Sequence, residues 1–171
     1  MILGLGIDLF PVGRLQRELE RWGSEFLEEF LSDAELHVSA AEGWAPTRLA
    51  ATFAGKEAVF KALGTGRTPE MRWADIEILP LGSDPGSTPL RPSHLFASYV
   101  HPEAPPSGTT LGRPASSSAR LRLHGAVRTQ ALSGLTDRQD YRLSLELDFF
   151  GDHARAIAIA ESSPHRKGGL A

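Results

Sequence analysis

The stretch Phe53-Ala54-Gly55-Lys56-Glu57-Ala58-Val59-Phe60-Lys61-Ala62-Leu63-Gly64-Thr65-Gly66 decides how the rest of the chain is read. Extended back to Arg48, it predicts a helix over 48–63, capped by Thr47 and ended by Gly64, with Leu49, Phe53, Phe60 and Leu63 on one apolar stripe. Glu57 and Lys61 lie one turn apart at the edge of that stripe, so neither is on the fully wet side. An ordinary helix ion pair, contributing about 0.2–0.5 kcal/mol, explains the spacing as well as a functional site does. The Gly64-Thr65-Gly66-Arg67 turn is open to two readings: a plain C-terminal cap, or a phosphate contact through its amides and Arg67.

What tips the balance lies at the other end of the chain. Residues Ile2 to Leu9 alternate as a strand, with Leu3, Leu5, Ile7 and Leu9 on one side and Ile2, Gly4, Gly6 and Asp8 on the other. The first set is expected to face the core. The second is a flat glycine floor that lets a ligand or another backbone approach closely, and it ends in a carboxylate. Asp8 either caps the following turn or meets a cation. If it converges with Glu57, the two make an all-oxygen site with few protein ligands, the kind Mg2+ takes when phosphates and waters complete its octahedron. Lys61, one turn from Glu57, could then reach a phosphate as a point charge.

Between these segments, Arg14 to Trp22 reads as a helix with Leu15, Leu19 and Trp22 inward and Arg14, Arg17 and Arg21 outward. That basic stripe is either a solvated face or a surface for an acidic partner. Ser24 opens a second turn carrying Phe26, Leu27, Phe30 and Leu31, and Ser32 with Glu35 has capping-box spacing for a third helix. Strands are expected at Ile76–Leu79, Leu121–Gly125, Tyr141–Leu147 and Ala154–Ala160. From Pro80 to Ser118, Pro, Ser, Gly and Thr dominate; this is read as an inserted loop with a small ordered island at His94–Val100. The tail from Ser162 to Ala171 is expected to be disordered.

The 171 residues, 41% hydrophobic and 23% charged, fit one globular domain, or one domain plus this insert. A formal charge of -3 provides no basic field for nucleic acid. With no cysteine, any metal site must use oxygen or imidazole, and the six histidines have no zinc spacing. The first residues are too short and too interrupted by Gly4, Gly6 and Asp8 to span a membrane, so a soluble cytoplasmic protein is expected.

Gly4-Leu5-Gly6-Ile7-Asp8-Leu9 together with the Phe53–Gly66 stretch resembles the two-part signature of the holo-acyl-carrier-protein synthases. Leu31 to Glu35, Trp73 to Ile78, Gly112-Arg113-Pro114 with Leu121 to Gly125, and Tyr141 to Glu161 are similar to further steps of that family. The resemblance implies an α+β fold of the phosphopantetheinyl transferase-like kind, a small, mainly antiparallel sheet packed against helices. It also implies transfer of the phosphopantetheine arm of coenzyme A to a carrier-protein serine. Asp8 and Glu57 are then Mg2+ ligands, Glu57 and Lys61 are catalytic, and Lys61 contacts the coenzyme A phosphates with Lys56 in the same motif; the Gly64 to Arg67 turn, on its phosphate reading, adds a further coenzyme A contact through Gly64 and Arg67. Arg14, Arg17 and Arg21 would face the acyl carrier protein, and the assembly would be a homotrimer with the cofactor between subunits. The chain departs from the family at Thr52, usually arginine, and at Leu147, usually histidine; His153 stands where tyrosine is common. These departures motivate a second reading, a relative that binds coenzyme A or a carrier without transferring anything.

Overall fold

A computed structural model describes residues 1–41, 43–80, 119–133 and 139–164. Most of the expected insert, its island at His94–Val100 and the tail beyond Pro164 lie outside the described residues. The first strand, β1 (Ile2–Pro11), is followed by α1 (Val12–Trp22), α2 (Ser24–Phe30), α3 (Asp33–Ala41) and α4 (Pro46–Ala62). A single 3-10 turn (Trp73–Asp75) leads into β2 (Ile76–Pro80). After it come β3 (Ala119–Leu123), α5 (Gly125–Leu132), β4 (Gln139–Phe150) and β5 (His153–Pro164). β1, β5 and β4 form one antiparallel sheet in that order, and β2 pairs with β3 in a second. The α+β class expected from the sequence is the one observed.

α4 is the centre of the molecule, and it differs from its expected form. Leu49, Ala50, Ala51, Ala54, Ala58, Val59, Phe60 and Ala62 are all buried, so the helix hides nearly its whole circumference instead of one stripe. A helix apolar all round belongs inside. It also starts at Pro46 and not at a Thr47 cap; a proline at the first helical position loses no hydrogen bond, because its missing N–H would have had no partner there. Gly64, at φ +78°, turns the chain away at the far end.

The faces of β1 are the reverse of the expectation. Gly6 and Phe10 are buried, whereas Leu3, Leu5, Ile7 and Leu9 are exposed, Ile7 by 53%. The glycine floor is covered by α4: a Cβ at Gly6 would lie 1.8 Å from the Ala58 carbonyl oxygen, and one at Gly4 would lie 1.9 Å from that of Ala62. The second backbone that glycine admits is therefore this helix.

Smaller differences have local causes. Trp22, expected inward, is 51% exposed, with the Arg21 guanidinium 4.9 Å from its ring centroid. The strand expected through Gly125 stops at Leu123, and Gly125 opens a helix absent from the sequence reading. A Cβ on Gly125, whose φ is +48°, would press to 3.3 Å of the Asp75 carboxyl, and His124 donates its N–H to the Asp75 carbonyl. β4 and β5 outrun their expected limits, joined at Gly151 (φ +60°), and β5 continues to Pro164 through residues assigned to the tail. The capping box is present, with Ser32 N–H on Glu35 Oε2 at 2.8 Å and Glu35 N–H on Ser32 Oγ at 3.3 Å.

Candidate active site

The close seating of α4 on β1 brings the two ends of the sequence argument together. Asp8 shares the glycine side of β1, and Lys61 on α4 donates from Nζ to Asp8 Oδ1 at 2.7 Å and to the Ile7 carbonyl at 2.9 Å. The Asp8 side chain is 15% exposed and that of Lys61 47%, so the pair opens to solvent. One turn back, Glu57 is half-buried. Burial first, and then the Asp8 carboxylate, push its carboxyl above the ordinary glutamate value, against the opposing pull of Lys61 and Arg67. Asp8, Glu57, Lys61 and Arg67 are thus within electrostatic reach of one another. Gly64 and Gly66 shape the turn carrying Arg67, both at positive φ with open space where a side chain would be. The Arg67 guanidinium lies 5.7 Å from the Trp73 ring centroid.

Two carboxylates that repel each other at a solvent-open edge suit a hard cation. The donor set is all oxygen, and one or two carboxylates are what Mg2+ uses when substrate phosphates supply the rest. Among the described residues no group of three or more histidine or carboxylate side chains forms a fuller metal cage.

Lys56 does not join them. It is fully buried, and its ammonium donates to the Phe30 carbonyl at 2.6 Å, Glu35 Oε2 at 2.6 Å and the Trp73 carbonyl at 3.2 Å. The expected coenzyme A contact is therefore replaced by an internal tie, since all three ammonium hydrogens are taken. Desolvation lowers the Lys56 pKa and raises that of Glu35, each opposed by the charge of the other. Glu35 was legible only as a cap; its second role needed Lys56 delivered from another helix. Thr52 is buried in α4, and Leu147 sits on the same helix: a Cβ at Gly55 would come within 3.1 Å of Leu147 Cδ2. On α1, Arg14, Arg17 and Arg21 are exposed, with Arg14 5.5 Å from the Phe10 ring centroid.

Residues 4–145 match the family model described as ACPS: 4'-phosphopantetheinyl transferase superfamily. The chain belongs to this family. A holo-[acyl-carrier-protein] synthase of Koribacter versatilis is 39% identical over 100 residues, covering 58% of this chain and 78% of that protein. Another, from Solibacter usitatus, is 41% identical over 78 residues, 46% of this chain and 62% of that protein. Some alignments therefore span less than two thirds of the relative. The crystal structure of the Neisseria meningitidis holo-[acyl-carrier-protein] synthase superposes with a TM-score of 0.63 at 24% identity, over 94% of this chain and 99% of that one. A Helicobacter pylori synthase in complex with coenzyme A gives 0.59 at 20% identity, over 92% and 99%. At these identities the structures speak for the fold, and the family membership expected from the motifs rests on the sequence matches. No helix among the described residues is long and apolar enough to cross a membrane.

Proposed function

We propose that this family member transfers the 4'-phosphopantetheine arm of coenzyme A to a serine of an apo acyl carrier protein, releasing adenosine 3',5'-bisphosphate. The observation that carries the reading is the convergence of Asp8, Glu57 and Lys61 where α4 meets β1. Asp8 and Glu57 would hold Mg2+, which when bound supplies charge neutralisation for the pyrophosphate. Lys61, anchored on Asp8 yet half open to solvent, offers its ammonium to a pyrophosphate oxygen, and Arg67 offers a second cation beyond the Gly64–Gly66 turn. The serine oxygen forms the new bond to the phosphorus bearing the pantetheine arm, and the bond to the departing bisphosphate breaks. Either Glu57 or a water takes the serine proton.

Arg14, Arg17 and Arg21 form the surface proposed for the acidic carrier, with Trp22 adding an apolar contact beside Arg21. The exposed apolar side of β1 supports self-assembly, in keeping with a homotrimer. A cytoplasmic protein is the matching location. Leu147, packed on α4 at Gly55 where the family usually has histidine, favours the competing reading of a binding-only relative.

Intact-mass measurement of an apo carrier incubated with the protein, coenzyme A and Mg2+ separates the two. Gain of one phosphopantetheine group, abolished by a chelator and by Asp8→Ala, is the expected result. Coenzyme A binding without any gain, on carriers that an active synthase modifies, would leave only the binding-only reading.

A further inference from the structure

α4 has only a narrow polar edge at Glu57 and Lys61 to fix its rotation, because most of its circumference is buried and the hydrophobic effect has no direction. Yet Glu57 must point at Asp8 and not elsewhere. The glycine floor limits how close α4 comes to β1, and it constrains one side only. On another side lies Lys56, the residue immediately before Glu57. Its ammonium reaches the last residue of α2 through the Phe30 carbonyl, α3 through Glu35 and the 3-10 turn through the Trp73 carbonyl. Glu35 extends the same tie: its Oε1 accepts from Ile78 N–H at 2.9 Å, and its Oε2 also accepts from Ser32 N–H. Three segments are thus held against one atom of α4 by directional bonds, and β2 is tied to the same anchor through Glu35. The Trp73 ring, set by the same turn, packs on Phe53 and Phe60 and carries Arg67 over it; Arg67 in turn acts on Glu57.

We propose that Lys56, with Glu35, is a positioning residue that sets the rotation of α4 and thereby aims Glu57 at Asp8. Stability alone is a weak reason for such a pair, since a buried ion pair is often replaceable by neutral groups at little cost. What neutral groups do not replace is a three-way directional anchor one residue from a reacting carboxylate. The inference rests on the proposed transferase site but does not follow from it, because the tie touches neither substrate nor metal.

The test compares the wild type, the paired variant Lys56→Met with Glu35→Gln, and Val127→Ala, a core truncation in α5, at a temperature where all three are folded. The pairing removes both charges of the tie together, so neither Lys56 nor Glu35 is left buried opposite a missing partner. Relative to Val127→Ala, the paired variant is expected to lose about ten- to hundredfold in kcat, with KM for coenzyme A unchanged. Mn2+ titration followed by electron paramagnetic resonance, which needs no turnover, is expected to show weaker binding by a similar factor. Equal kcat and equal Mn2+ affinity in the two variants would reduce Lys56 to packing and overturn the proposal. A wild type that binds Mn2+ but transfers nothing would sink the transferase reading while leaving the Mn2+ comparison to decide this one.

Discussion

Glu57 is where function and stability pull in opposite directions. Its folded-state pKa is raised, so in the folded chain its ionised form is disfavoured relative to the unfolded chain. Below the ordinary glutamate pKa both states hold the proton and nothing is lost. As pH rises through that value, the unfolded chain ionises first and stability falls, until the folded group has also ionised; above that the loss is constant. In the presence of a chelator, Glu57→Gln should therefore melt higher than the wild type at neutral pH. The advantage should vanish below about pH 4.3, the ordinary glutamate value, as a melting series across pH would check. The same variant should lose transfer, so a Tm that falls at pH 7 would contradict the electrostatic account of the site. Lys56 shows the opposite balance: with every hydrogen of its ammonium taken, Lys56→Met alone strands Glu35 and should cost about 3–5 kcal/mol in denaturant unfolding.

The contact between β1 and α4 turns two glycines into a site. Because the built Cβ at Gly6 meets the Ala58 carbonyl at 1.8 Å, Gly6→Ala cannot be absorbed by a side-chain shift, and α4 must move off the strand. Overpacking of this kind costs about 1–3 kcal/mol. Since it separates Asp8 from Lys61 and Glu57, transfer should fall further than stability does; thermal unfolding and turnover measured on the same preparation would show it. The alternation of β1 was legible from Leu3 to Leu9, and so was the helix of Phe53–Lys61; the convergence of Asp8 with Glu57 was left open, and the direct bond of Lys61 to Asp8 was not foreseen. Which face of β1 is inside was not, because the rule that leucines go inward ignores what a helix packed on glycine can cover. The helix at Gly125 escaped because its eight residues carry only Val127 and Ala131 as buried positions, too few for a period. Lys56 escaped because its acceptors, Phe30, Glu35 and Trp73, come from segments far apart in sequence, and a lysine on a helix is ordinarily read as solvated.

At the scale of the whole molecule, the inverted β1 face leaves an apolar surface with nothing over it among the described residues. Register places Leu5 opposite Ile159 and Ile7 opposite Ile157, so these four side chains form one patch, continued by the exposed Leu3 and Leu9. Its rim on the same face is charged: Arg155 pairs with Asp148, and Arg142 lies across from Glu161. An apolar centre with a polar rim is the anatomy of an interface. Covering the exposed half of each aliphatic side chain of β1 is worth about 1 kcal/mol apiece, enough over such a patch to favour association. A glutamate in its middle forfeits that gain and adds a charge that has to be desolvated. Ile159→Glu should therefore shift sedimentation from an assembly of copies to a folded single chain, with circular dichroism unchanged because its side chain lies on the outer face of the sheet and is partly exposed. If the cofactor lies between subunits, as the family resemblance implies, transfer should fall with assembly even though Asp8, Glu57 and Lys61 are untouched. An Ile159→Glu protein that remains assembled and fully active would assign the interface to another surface. One that is monomeric and fully active would mean that the site on each chain is complete by itself.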